Sequence, residues 1–103
     1  MRKIEKAMLE AVKNKQNVKL ANTDVHVENG SVYVFLYGHL IMQQNARGER
    51  KYDAKITVTG DATATTLSRL RALGLNVSKR KGVLYVDGKE WINGVDYNWR
   101  PAK

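Results

Sequence analysis

The chain has 103 residues, no Cys, one Pro and a formal net charge of +8. This length suits one domain with one modest core, and the missing thiols exclude disulfides, thiolate metal sites and Cys nucleophiles. The charged opening Met1-Arg2-Lys3-Ile4-Glu5-Lys6 lacks an apolar signal core, and no apolar run nears the ~18–20 residues of a bilayer span, so a soluble intracellular protein is expected.

Residues 2–15 read as an amphipathic helix, with Ile4, Ala7, Met8, Ala11 and Val12 on one stripe and Lys13 and Lys15 near the negative end of its dipole. Val25–Val27 and Val32–Leu36 then flank Glu28-Asn29-Gly30-Ser31. Asn-Gly is a strong hairpin signal, because both central residues of a type I′ turn need positive φ. The second strand of this hairpin is expected to run on toward Met42. Residues 43–50 read as a polar, mobile loop and 52–59 as a third strand. A short helix follows at 64–73, capped by Thr63 or Asp61 and closed by Gly74. Strands at Leu75–Lys79, Val83–Val86 and Lys89–Ile92 are joined by turns at Lys81-Gly82 and Asp87-Gly88. The expected fold is α+β: an antiparallel sheet of about five strands with two helices on one face, in the order α-β-β-β-α-β-β. Residues 1–92 form the domain and 93–103 a C-terminal tail, with Trp91 packed, Trp99 as the available anchor and the last three residues loose.

The Asn29-Gly30 turn fixes the register and hence the faces. One face carries Val25, Val27, Val32, Val34, Leu36, Leu40 and Met42 and should lie under the helices. The other carries His26, Tyr33, Phe35, Tyr37, His39 and Ile41. If Tyr52, Ala54, Ile56 and Val58 join the core, Lys51 and Lys55 join the aromatic face. Val18 and Leu20 fall on the wrong face, which implies a bulge or break near Asn22-Thr23. Aromatic rings flanked by lysines suit nucleic acid, since bases stack on rings while cations track phosphates. The competing reading is a second apolar layer covered by the Trp91–Trp99 segment or by a second copy of the chain, so a homodimer stays open. The candidate contacts are Tyr33, Phe35 and Tyr37 for stacking, and Lys51, Lys55, Lys79, Arg80 and Lys81 for phosphates. Lys79-Arg80-Lys81-Gly82 is otherwise a solvated turn. Arg69 and Arg71 read as arginines whose stems lie over core residues.

No enzyme is expected. Ser31, Ser68 and Ser78 lie in no nucleophile motif, Thr59-Gly60-Asp61 lacks the Lys and spacing of a phosphate loop, and His26 with His39 makes a poor metal site. No cofactor, metal or membrane partner is expected.

The stretch from Thr63-Ala64-Thr65-Thr66-Leu67-Ser68-Arg69-Leu70 through Gly82-Val83-Leu84-Tyr85-Val86-Asp87-Gly88-Lys89, with the opening Met1–Met8, resembles small accessory proteins of tailed bacteriophages. The resemblance covers about half the chain and carries no functional residue with it. It implies a phage protein acting in the host bacterial cytoplasm by binding. The partner is nucleic acid (DNA or RNA) or, alternatively, a bacterial host or anti-phage defence factor that the protein inhibits.

Overall fold

The computed structural model describes residues 1–54, 63–96 and 98–101. The elements run α1 (Lys3–Asn14), β1 (Val18–Lys19), β2 (Thr23–Glu28), β3 (Ser31–Leu36), β4 (His39–Gln44), β5 (Glu49–Tyr52), α2 (Ala64–Ala72), β6 (Val77–Arg80), β7 (Val83–Val86), β8 (Lys89–Glu90) and β9 (Arg100–Pro101). The α+β class holds, but among the described residues the strands form two antiparallel sheets rather than one of about five. Six pair in the order β1-β2-β3-β4-β5-β9 and three in the order β6-β7-β8.

The extra strands come from tight turns. Asn29-Gly30, Lys81-Gly82 and Asp87-Gly88 each place two successive residues at positive φ, as the sequence implies. A fourth such pair, Tyr37-Gly38, has φ of 50° and 79° and cuts the expected 32–42 strand into β3 and β4. Tyr at the first position hid it, because a bulky residue rarely adopts the left-handed region. The expected loop at 43–50 is mostly strand. Only Asn45–Gly48 turns, pinned by the Asn45 side-chain oxygen accepting from the backbone of Arg47 and Glu49 at 3.0 and 2.9 Å. The third strand starts earlier than expected, at Glu49–Tyr52, and the part of the expected 52–59 strand beyond Ala54 falls outside the described residues.

The break expected near Asn22-Thr23 is a reversal in which Leu20 and Thr23 exchange backbone hydrogen bonds, and Val18 of β1 then pairs with Val25. The segment expected as a tail returns to the sheet. Asp53 bridges Val95, and β9 pairs Glu49 with Pro101 and Arg50 with Arg100. β9 is an edge, where Pro needs no ladder donor.

Both helices close with left-handed caps. At α2, Leu75 N–H reaches Leu70 O and Gly74 N–H reaches Arg71 O, both at 3.0 Å. Thr63 caps its start by accepting from Thr66 N–H at 3.2 Å. Met8, Ala11 and Val12 of α1 and Leu67 and Leu70 of α2 share one cluster with Val25, Val32, Val34 and Met42 of the large sheet. Leu73, Val77, Leu84 and Trp91 extend that cluster under the small sheet.

One polar group sits within this packing. Arg69, 2 % exposed, is buried rather than laid over the surface. Its Nη1 meets Glu5 Oε2 at 2.8 Å, and its Nε donates to Thr23 Oγ1 at 3.2 Å. Ser68 Oγ donates to the same Glu5 oxygen. Burial pushes the Glu5 carboxyl up, but the hydrogen bonds from Ser68, Arg69 and the Arg2 backbone, with the Arg69 charge, outweigh it and hold it below its ordinary value. The group continues through Asn22 to the hydroxyl of Tyr37, which accepts from Asn22 Nδ2 at 3.2 Å. It ties both helices to the two turns at one end of the sheet.

Candidate functional site

With the helices committed to one face, the register defines the other. His26 stands opposite Tyr33, Tyr33 opposite Gln43, and Gln43 opposite Lys51, giving one row across β2, β3, β4 and β5. A second row runs Lys19, Asp24, Phe35, Leu40. Tyr33, Phe35, Leu40, Gln43 and Lys51 are all half-buried and His26 is exposed, so the rings are neither sealed nor fully in water. His26 and Tyr33 rings lie 6.4 Å apart between centres. At the β5 end the Lys51 ammonium sits 4.6 Å from the centre of the Trp99 ring, a cation–π contact that holds an exposed indole beside the sheet. Two shallow depressions flank the rows. One of about 210 Å³ is lined by Leu40, Gln43, Lys51 and Asp53 among others. The other, of about 500 Å³, is lined by Lys19, Asp24, His26 and Phe35 among others.

The expected face therefore forms with changed membership. The register slips between Val34 and Phe35, so Met42 pairs with Val34 while Leu40 pairs with Phe35, and Ile41 is the extra residue. Ile41 turns inward and is 3 % exposed, while Leu40 takes the open face in its place. Tyr37 leaves the face altogether for the β3–β4 turn, where it is 67 % exposed, and His39 begins the next strand. Tyr33, Phe35 and Lys51 are brought together. Lys55 lies outside the described residues. Lys79, Arg80 and Lys81 sit at the β6–β7 hairpin of the other sheet, all exposed. Trp99, expected as an anchor for the chain end or as part of a segment covering the rings, joins the face through Lys51. Its sequence signal was weak, because an isolated Trp near a terminus does not say which strand it returns to.

The open face carries carboxylates as well as cations. Asp24 pairs with Lys19 across β1 and β2, and Asp53 lies two residues beyond Lys51 on the same strand face. Among the described residues, cations and carboxylates are thus interspersed on this face. Among the described residues no three of His, Asp and Glu gather as metal ligands, and no helix is long and apolar enough to cross a membrane.

No curated protein and no solved structure matches the chain. A family model does, the Kyanoviridae Gp96 protein, over residues 1–101. The expected likeness to phage proteins therefore extends over nearly the whole sequence rather than half of it, and the chain belongs to the Kyanoviridae Gp96 protein family, a family of phage proteins.

Proposed function

We propose that this phage protein works by binding single-stranded nucleic acid on the open face of its six-stranded sheet, without catalysis, in the cytoplasm of the host. The observation that carries the reading is the row Tyr33–Gln43–Lys51, ending on the Lys51–Trp99 pair, with Phe35 in the neighbouring row. Half-buried rings are positioned by the sheet and so lose little freedom when a base stacks on them, each stack contributing ~1–3 kcal/mol. Lys51 supplies a cation beside the rings, and Gln43 supplies donors and acceptors for a base edge. The net charge of +8 favours approach of any polyanion.

The test uses a short single-stranded oligonucleotide and a salt series. Trp99→Leu should weaken binding by ~1–3 kcal/mol and leave the salt slope nearly unchanged. Lys51→Gln should make the slope shallower by about 0.7, the share of one phosphate contact on a single strand. If the parent ignores the oligonucleotide at low salt, or both folded variants match it, the sheet is not a nucleic-acid site.

The carboxylates of Asp24 and Asp53 favour a second reading, in which the same rings anchor a host or defence protein. Phosphates are repelled by such carboxylates, whereas a protein surface with matching lysines is not. A parent that ignores nucleic acid at low salt supports this reading.

A further inference from the structure

We propose that the β6–β7 hairpin is a second contact, separate from the open sheet face, and that it takes the phosphate backbone of double-stranded nucleic acid. Lys79, Arg80 and Lys81 occupy its tip, and all three are exposed. The tip is a two-residue turn with Lys81 and Gly82 at φ of 50° and 81°, so the cations are displayed on a stiff, twisted ribbon rather than a loose loop. Arg71 adds a fourth cation. It is exposed near the end of α2 and donates its Nε to Val77 O at 2.9 Å, which lays the guanidinium against the start of β6. Lys89 opens β8 at the other end of β7, opposite Val86 at the base of the hairpin. Within residues 77–90 the carboxylates are Asp87, held by Arg100, and Glu90, opposite Tyr85 on β8.

The chemistry separates this surface from the open face. Residues 77–90 contain one ring, Tyr85, and the Arg80 guanidinium sits 5.9 Å from its centre. The hairpin is thus rich in charge and poor in free stacking platforms. Unpaired bases gain most from rings, whereas a duplex keeps its bases stacked inside and offers phosphates. A two-stranded ribbon also has the width to enter a major groove. The inference leans on the nucleic-acid reading above only for the class of polymer, and it concerns different residues.

The experiment compares a short DNA or RNA duplex with one of its separated strands across a salt series. It uses the full chain and a variant carrying Lys79→Gln, Arg80→Gln and Lys81→Asn, since Asn tolerates the left-handed turn position. The expected result is a duplex slope shallower by up to about 3, near 0.9 for each phosphate contact removed, with duplex affinity down by about tenfold or more and single-strand affinity unchanged. Arg80→Gln alone, outside the turn, should lower the slope by about 0.9 even if the triple variant melts early. Unchanged duplex binding overturns the inference, as does a parent that does not bind duplex. An equal loss on both probes overturns the assignment to duplex. A parent that binds duplex but neither strand leaves the hairpin standing and removes the open-face reading.

Discussion

Arg69→Met should be among the most damaging single substitutions in the protein. The side chain is 2 % exposed and meets a Glu5 oxygen at 2.8 Å, so removing it strands a buried carboxylate that has lost its guanidinium donor and its counter-charge. Breaking one partner of a buried ion pair costs about 3–5 kcal/mol. A domain of this size has a total stability near the lower part of the usual ~5–15 kcal/mol, so most of its margin would go. Urea unfolding at pH 7 reads the effect. With a slope of ~1–3 kcal/mol/M, the midpoint should fall by about 1 M or more. Glu5→Gln should cost a similar amount, because it leaves the guanidinium unpaired. The double variant should cost little more than either alone, since neither charge is then left without its partner. Arg69→Met within about 1 kcal/mol of the parent would refute the reasoning. So would a double variant equal to the sum of the two, because that outcome means the groups do not interact.

The same pair sets a pH dependence. The Glu5 carboxyl is held below its ordinary value of 4.5, so its stabilisation is complete above that pH and is lost as pH falls from there through the depressed value. Thermal melting between neutral and strongly acidic pH should show this loss in the parent and a flatter profile in Glu5→Gln. Arg100 gives the contrast: it pairs with Asp87 and Asp96 but is about a third exposed, so Arg100→Ala should cost only ~0–1 kcal/mol in the same urea assay. At the β3–β4 turn, a Cβ on Gly38 meets nothing within 4 Å, so Gly38→Ala should cost only the left-handed backbone penalty of ~1–2 kcal/mol. Tyr37→Asn should hold or raise the melting temperature, since Asn enters that conformation more readily. A clear drop there would mean that the Asn22–Tyr37 hydrogen bond carries more than the turn does.

Turn chemistry made half of this fold legible. Asn29-Gly30 predicted the register Val27–Val32, His26–Tyr33 and Val25–Val34, and those pairs form. The reading failed where local alternation looked continuous across a reversal. Val32 to Met42 alternates well enough to pass for one strand, and only Gly38 marks the break. The slip beside Phe35 was beyond reach, since a bulge exchanges Leu40 and Ile41 without changing their apolar character. The buried ion pair left a trace that periodicity could have used. Glu5, Met8 and Val12 fall at i, i+3 and i+7, so a carboxylate lies on the apolar stripe of α1 and requires a buried cation from elsewhere. Nothing in the order of residues says that the cation is Arg69, sixty-four positions away. Long-range pairing of this kind, like the return of Arg100 to Arg50, is decided by tertiary packing rather than by local pattern.

The separation of charge from rings follows from the same packing. An α-helix over a sheet must turn its charged side outward, so Lys3, Lys6 and Lys13 of α1 are exposed on the side away from the aromatic rows. The small sheet collects Lys79, Arg80, Lys81 and Lys89. Among the described residues of the open face, cations are matched by carboxylates, with Lys19 set against Asp24 and Lys51 near Asp53. A helix layer and a sheet, together roughly 15–20 Å thick, lie between α1's lysines and any strand held on that face, well beyond the ~8 Å Debye length at physiological salt. Those lysines can steer a polyanion toward the molecule but cannot neutralise phosphates bound there. On the proposed readings, affinity at the open face should come mainly from stacking and vary little with salt, while affinity at the hairpin should come from counterion release and vary steeply. The two proposed surfaces therefore differ in how steeply binding should fall with ionic strength, a difference that the net charge of +8 alone does not reveal.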